Sequence, residues 1–276
     1  MPAPGKFGRL PRDTTRFAPT LEHYLRVHPV TKASGLEPVG PEDDVDRATK
    51  VTTWPMYCNG PDPGNPPAAP DGCGDCTFAE AAHAFTALGV YAGKPQVLFD
   101  DAAVLTGYSD VSGYDPATGD NDNGCQMQDV LAYLRTEGLV DTKGHTHKVI
   151  AYAALEHPGD IQLLSQVLKT FGYAYLGIDC PVSAQDQFGD GPWTYVPGSP
   201  ILGGHCIGLH RRQPYGSRVG VFDLATWGAL QPATIGFLQT YVTEAWAVVT
   251  QDWIEASGSS CDGIALGQLE ADMRLV

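Results

Sequence analysis

The sequence predicts an α+β fold, with helices in its first half and strands in its second. Apolar residues recur at helical spacing over 76–89, 126–137 and 161–171, and the runs close on Gly89, Gly138 and Gly172. After residue 172 the pattern changes to short runs rich in aliphatic and aromatic residues. The chain has 276 residues, 43% of them hydrophobic and 18% charged, an ordinary balance for a globular protein.

Taken in order, residues 1–50 read as an extended arm. Pro2, Pro4, Pro11, Pro19, Pro29, Pro38 and Pro41 punctuate it, with a short helical patch near Leu21–Val27. Lys6, Arg9, Arg12 and Arg16 make its first part basic on a chain whose net charge is −15. That composition suits a surface-wrapping tail, or an assembly arm that docks on an acidic neighbour or another copy. Residues 51–276 form the domain, a helical half over about 51–150 and a strand-rich half over about 151–276. Phe78, Ala81, Ala82, Phe85 and Leu88 define the first helix. A second helix is expected over Gln96–Leu105, and the Asp-, Asn- and Gly-rich stretch Gly107–Gly124 reads as a loop. That stretch fails the spacing of a calcium-binding EF-hand, because with Asp120 as first ligand the position needing glycine is Cys125. Gln126–Glu137 and Ile161–Phe171 are the third and fourth helices. Tyr173–Asp179, Cys206–Arg211, Val219–Leu224 and Ala245–Thr250 read as strands.

The charge argues against nucleic acid as a partner, and no apolar run is long enough to span a bilayer. The start of the chain has no apolar signal core, so no secretory signal is expected. The expected location is therefore the cytoplasm or a virus particle. The chain has 7 cysteines. In a reducing compartment they stay thiols, whereas a particle that oxidises after release could hold a disulfide. Cys58 and Cys73 bracket a Pro/Gly-rich loop, Gly60–Gly72, and could clip it.

The chemistry concentrates in three blocks: Gly72-Cys73-Gly74-Asp75-Cys76, Gly203-Gly204-His205-Cys206, and Phe222-Asp223-Leu224-Ala225-Thr226-Trp227-Gly228. Cys76 sits where a glycine-rich turn enters the first helix. A thiolate there would be stabilised by the helix dipole and by unpaired N–H groups, and further by a nearby imidazolium. A lone cysteine is more often a small buried hydrophobe; the downstream blocks favour a nucleophile. His205 lies on a strand with Ile207 and Leu209, and the glycines before it allow close backbone approach. His210 falls on the opposite strand face from His205. His83 lies about 10 Å along the helix from Cys76, too far to serve it. Zinc held by Cys73, Cys76, His205 and Cys206 is disfavoured, because adjacent strand residues point to opposite faces. No metal or cofactor is expected.

These blocks resemble the papain-like cysteine peptidases, and in particular phage and bacterial proteins of that superfamily with Gly-Asp-Cys, Gly-Gly-His and Thr-Trp-Gly blocks. The resemblance spans most of 55–255. It implies a helical half carrying the Cys, a β-barrel-like half carrying the His, Cys76 as nucleophile and His205 as general base. Cys73 then matches a structural half-cystine whose usual partner corresponds to Cys125, an alternative to the Cys58–Cys73 pairing, since both cannot hold at once. Two positions depart from the pattern. The family's oxyanion Gln falls on Pro70, six residues before Cys76, and its His-orienting Asn on Ala225. Asn59, displaced by the inserted loop, is the expected oxyanion donor. Asp223, on the same strand face as Ala225, is the expected orienting group. The resulting expectation is a Cys-His-Asp hydrolase acting on a peptide or other amide and carried in a phage particle. The alternative is a structural or interaction protein of a virus particle that keeps the fold with a degenerate site.

Overall fold

The computed structural model describes residues 3–22, 50–212 and 221–253. The greater part of the helical patch expected at Leu21–Val27, the start of the strand expected at Val219, and Cys261 lie outside the described residues. The helical half holds α1 (Cys76–Tyr91), α2 (Asp101–Ser112) and α3 (Met127–Thr136). Two short strands, β1 (Leu139–Val140) and β2 (Thr146–His147), pair as a hairpin. Then come β3 (Val149–Ala154), α4 (Ile161–Phe171), β4 (Ala174–Pro181), α5 (Val182–Gln187), β5 (Ile201–Arg212), β6 (Val221–Thr226), β7 (Ala229–Thr234), α6 (Ile235–Tyr241) and β8 (Val242–Thr250).

The strand half is a six-stranded antiparallel sheet of order β3-β8-β4-β5-β6-β7. α1 packs on β5 and is buried along nearly its whole length, which explains its Ala-rich composition: small side chains let it lie close to the sheet. α4 starts at Asp160, whose carboxylate accepts from the Gln162 and Leu163 N–H groups, and stops at Gly172 with φ 74°. No helix among the described residues is long and apolar enough to cross a membrane.

Two expected helix boundaries move. α1 runs through Gly89 to Tyr91. The helix expected at Gln96–Leu105 is instead Asp101–Ser112, entered from extended Asp100 and ended by Gly113 in the left-handed region. Gly107, read as the start of a loop, lies inside it. A Cβ at Gly107 would sit 2.5 Å from Phe78 Cε1, so glycine there lets α2 close on α1. The strands β3 and β7 carry too weak an alternation to have been singled out.

The end of β8 is tied to the β1–β2 hairpin by a charge cluster. His147 Nδ1 meets Asp252 Oδ2 at 2.5 Å and its Nε2 meets Asp141 Oδ2 at 3.2 Å, while Lys94 Nζ holds Asp252 Oδ1 at 2.8 Å. Burial alone would lower the His147 pKa, but the two carboxylates outweigh it and raise it. Asp252 is lowered to about 2 by the His147 bond. A raised histidine stabilises fully below its unfolded value, about 6.5, and the gain is lost as pH rises through the folded value. The lowered carboxylate acts oppositely, losing its contribution as pH falls below about 4. Thermal melts are therefore expected to show stability declining on the alkaline side of about pH 6.5, and His147→Gln to flatten that decline. An identical slope in the variant would exclude the cluster as its source.

Candidate active site

Cys76 is the first residue of α1, as the sequence predicts. Asp122, far along the chain, accepts from the Gly74 N–H and the Tyr108 hydroxyl, both at 2.7 Å, and so fixes the loop entering the helix. Asn59 is placed by a tight turn closed by Asn59 N–H to Met56 O at 3.1 Å. Both central residues of that turn, Tyr57 and Cys58, have positive φ, 52° and 64°. Non-glycine residues in this region cost about 1–3 kcal/mol each and persist where surrounding contacts enforce them. The Gly60–Gly72 loop folds back so that Cys73 N–H reaches Cys58 O at 2.8 Å. The insertion thereby leaves Asn59 beside the nucleophile loop, where its Nδ2 donates to Cys73 O at 3.2 Å.

His205 lies on β5, fully buried. Its Nε2 lies 2.8 Å from Thr226 Oγ1, a hydrogen bond whose direction depends on the ring tautomer. The other ring nitrogen, Nδ1, has no hydrogen-bond partner. Trp227 stacks on the imidazole at 4.7 Å and 25°. Trp227 and Gly228 are the two loop residues of the β6–β7 hairpin, with φ 44° and 70°. The hairpin thus holds a bulky side chain in the left-handed region to keep it over His205.

The expectation for Asp223 is corrected. Its carboxylate pairs with Arg211 Nε at 2.6 Å, its cross-strand neighbour, and does not orient His205. Asp223 and Thr226 are three residues apart, so they project from opposite faces of β6. Asp223 shares the Ala225 face, as expected, but His205 is on the other one. Thr226 stood in the Thr-Trp-Gly block without a role assigned to it. The disulfide expectation is corrected too: Cys58, Cys73 and Cys125 are all buried free thiols. The arm backbone passes between Gly74 and Gly124, next to Cys73 and Cys125. A Cβ at Gly8 would lie 1.6 Å from Gly74 O, and one at Gly124 1.9 Å from Gly8 O.

This route of the arm is the feature that the sequence reading missed. Its first part does not wrap the surface; it crosses the site. Gly8 and Arg9 N–H both donate to Gly204 O, at 3.2 and 3.0 Å, and Leu10 N–H donates to Cys125 O at 2.9 Å. Cys125 N–H returns a bond to Gly8 O at 2.8 Å. Lys6 N–H donates to Asn59 O at 2.7 Å, and Asn59 Nδ2 donates to Lys6 O at 3.2 Å. Phe7 packs edge-on against both His205 and Trp227. Further along, Arg16 pairs with Asp129, and Thr20 bridges to Ala154 at the end of β3.

Burial sets the electrostatics, with smaller influences from Gly8 and Arg9 of the arm. The Cys76 thiol is pushed up to about 12 by burial, against the opposing N–H groups of Cys206 and Gly8 and the charge of Arg9. His205 is pushed down to about 3, by burial and by Arg9. With the thiol titrating far above the imidazole, the proton stays on sulfur and both groups are neutral. In this closed arrangement desolvation outweighs the helix terminus at Cys76, as burial also raises the other described thiols.

Behind α1 lies a second buried polar group. Glu80 accepts from Tyr173 Oη at 3.0 Å and meets His83 Nδ1 at 3.2 Å, while His210 Nδ1 meets Tyr91 Oη at 3.1 Å. It is on the far face of β5 from His205. Among the described residues no group of three His, Cys, Asp or Glu side chains has the geometry to hold a metal ion.

No family model matches the sequence, and no curated protein matches it. Among solved structures, the chain is similar to xylellain, a cysteine protease from Xylella fastidiosa, with 13% identity, a TM-score of 0.60, and 90% of this chain and 97% of that one covered. It is also similar to a procathepsin B of Trypanosoma congolense, at 14% identity and a TM-score of 0.55, covering 89% of this chain and 86% of that one. A digestive procathepsin L of the Tenebrio molitor larval midgut gives 13% identity and a TM-score of 0.54, covering 90% and 75%. At these identities the likeness shows the fold, which is that of the papain-like cysteine proteases.

Proposed function

We propose that this chain is a papain-like cysteine hydrolase, a peptidase or amidase, held latent by its own N-terminal arm. The observation that carries this reading is that a stretch of peptide backbone already lies across Cys76, His205 and Asn59. The arm is held there as an occupant by backbone bonds to Gly204, Cys125 and Asn59. With the arm displaced, water and lost desolvation bring the two pKa values together, and the thiol proton can pass to His205 Nδ1. The Cys76 thiolate attacks the substrate carbonyl carbon. The oxyanion is held by the Cys76 N–H and by Asn59 Nδ2, the donor that Lys6 O now engages. The imidazolium protonates the leaving amine as the C–N bond breaks, and water then hydrolyses the thioester with His205 as base.

Thr226 takes the place of Asp223 as the positioning residue. Its hydroxyl engages Nε2, which holds the ring and leaves Nδ1 as the nitrogen open to exchange a proton with the thiol. Thr226→Val is expected to lower kcat by about 10- to 100-fold with little change in KM, within the range for general acid–base contributions. It is also expected to move the acid limb of the pH–rate profile, while Thr226→Ser restores both. Equal turnover by the valine variant would show that the bond orients nothing.

The test of the reading is hydrolysis of fluorogenic peptide amides by the full chain carrying Arg9→Ala, set beside the same chain with Cys76→Ala. Turnover in the first and none in the second is expected. A second reading, a structural or interaction protein of a virus particle with a closed cleft, is favoured by the complete burial of Cys76 and His205. It gains if the Arg9→Ala chain exposes the thiol yet hydrolyses nothing. Carriage in a phage particle rests on the blocks alone, and its check is recovery of the chain from purified particles.

A further inference from the structure

His83 is out of reach of Cys76, but it reaches the chain that carries Asn59. Cys76, Glu80 and His83 fall on one face of α1. The His83 and Glu80 side chains are 3% and 2% exposed, and Glu80 Oε2 meets His83 Nδ1 at 3.2 Å. The other ring nitrogen of His83, Nε2, lies 2.8 Å from Pro55 O. A carbonyl oxygen can only accept, so Nε2 carries the hydrogen and donates it. Glu80 is held in turn by the Tyr173 hydroxyl at 3.0 Å. Gly208 makes the room for it: a Cβ there would lie 1.9 Å from Glu80 Oε1. Trp54 and Tyr57 pack on the His83 ring at 5.5 and 5.3 Å. The Glu80–His83 bracket therefore grips residues 54–57, which run directly into the turn that Asn59 N–H closes on Met56 O.

We propose that His83, steadied by Glu80, is a positioning residue for the oxyanion donor: it pins the chain before Asn59 to the helix that carries Cys76. The proposal rests on reading Cys76 and Asn59 as nucleophile and oxyanion donor. The loop over residues 60–72 creates the need for such a bracket. It stands between Asn59 and the nucleophile, so the covalent chain no longer fixes their spacing. The turn before Asn59 is strained, with Tyr57 and Cys58 at positive φ, and strain of this kind persists only where surrounding contacts enforce it. The bonds between Lys6 and Asn59 help in the closed chain but leave with the arm. The tie from Asn59 Nδ2 to Cys73 O and the grip of His83 on Pro55 do not depend on the arm. α1 is then the common reference of the site. Its first residue is the nucleophile, and a residue about two turns on sets where the amide stands.

The experiment compares two reactions of Cys76 in the full chain carrying Arg9→Ala. Hydrolysis of fluorogenic peptide amides builds an oxyanion; alkylation by iodoacetamide, which displaces iodide from carbon, builds none. His83→Phe keeps a ring against Trp54 and Tyr57 and removes the Nε2–H. Losing an oxyanion donor outright costs about 100- to 1000-fold in kcat, so misplacing it is expected to cost about 10- to 100-fold, with little change in KM. Labelling of Cys76 should stay within about twofold, and His83→Gln, whose amide can still donate to Pro55 O, should recover most of the turnover. In an Asn59→Ala background, His83→Phe should cost nothing further, because it acts through Asn59. Unchanged turnover, equal losses in turnover and labelling, or a loss that persists without Asn59 would each overturn the proposal. Should His83→Phe fail to fold, Glu80→Gln keeps the side-chain volume and is expected to give the same split at smaller size; equal losses or none overturn it. Absence of hydrolysis in the Arg9→Ala chain sinks the hydrolase reading alone, and the bracket is then read with acetyl-phenylalanyl-glycinal. The thiol adds to the aldehyde carbon, its proton passes to the aldehyde oxygen, and that oxygen occupies the same hole. His83→Phe should weaken this adduct about tenfold, and only while Asn59 is present. An unweakened adduct overturns the bracket, and no adduct in any of the chains sinks both readings.

Discussion

Arg9→Ala is expected to raise the rate at which iodoacetamide labels Cys76 by about a hundredfold or more. The argument is one of local opening. In the closed chain the thiol is buried and pushed up to about 12, so a reagent reaches it only when the arm lifts. Arg9 is the arm's deepest anchor, paired with buried Glu244 and with Asp179. Removing one partner of such a pair costs about 3–5 kcal/mol, mostly through the charge left behind. That loss falls on the closed state, because the open arm leaves both charges accessible to water. The open population then grows by about two orders of magnitude or more, since each 1.4 kcal/mol is a factor of ten. Peptide mass mapping locates the label, with Cys58 as internal reference, because the arm runs beside Cys73 and Cys125 and its release opens them as well. Cys58 is also buried, and the arm's release should affect it less. Labelling of Cys58 as fast as Cys76 would mean that the variant unfolds globally. Labelling of Cys76 at the unaltered rate would mean that the arm is not what shields it.

His205→Ala in the Arg9→Ala background is expected to lower peptide hydrolysis by about 10³-fold or more, and Cys76→Ala by at least as much. Combining the two should cost little more than either alone, because nucleophile and base act as a unit. Both side chains are fully buried at the junction of α1 and β5, so each variant needs a melting curve beside its kinetics. The double variant is the discriminating one. Additive losses would mean that the two residues act independently and that no thiol–imidazole pair forms. The pH–rate profile gives a further check. Closed, the imidazole is near 3 and the thiol near 12; opened, they should draw together and give a bell whose limbs lie well inside those limits.

The sequence by itself determined the α+β class, the placement of Cys76 at a helix start and the nomination of His205 and Asn59. The class and the helix start follow from short-range signals, whereas His205 and Asn59 are nominated by the resemblance of the three blocks. Helical periodicity and glycine stops depend on neighbours within a turn or two, and Ile161–Phe171 came out with the boundaries expected of it. Where the local signal was shared between two possible elements it misled: Gly107 looks like a loop residue until Phe78 is packed against it. The identity of the group that orients His205 was not legible. Strand parity correctly put Asp223 and Ala225 on one face, but which face meets His205 depends on the pairing of β6 with β5 and on the hairpin at Trp227 and Gly228. The arm was legible only as basic and proline-rich. Nothing local says that Gly8 passes between Gly74 and Gly124, or that Arg9 ends beside Glu244, 235 positions away. The same holds for reactivity. A helix terminus argues for a thiolate, but the charge state of Cys76 is set by how much water the arm removes, and desolvation is a property of everything packed around a group, which only the tertiary structure decides.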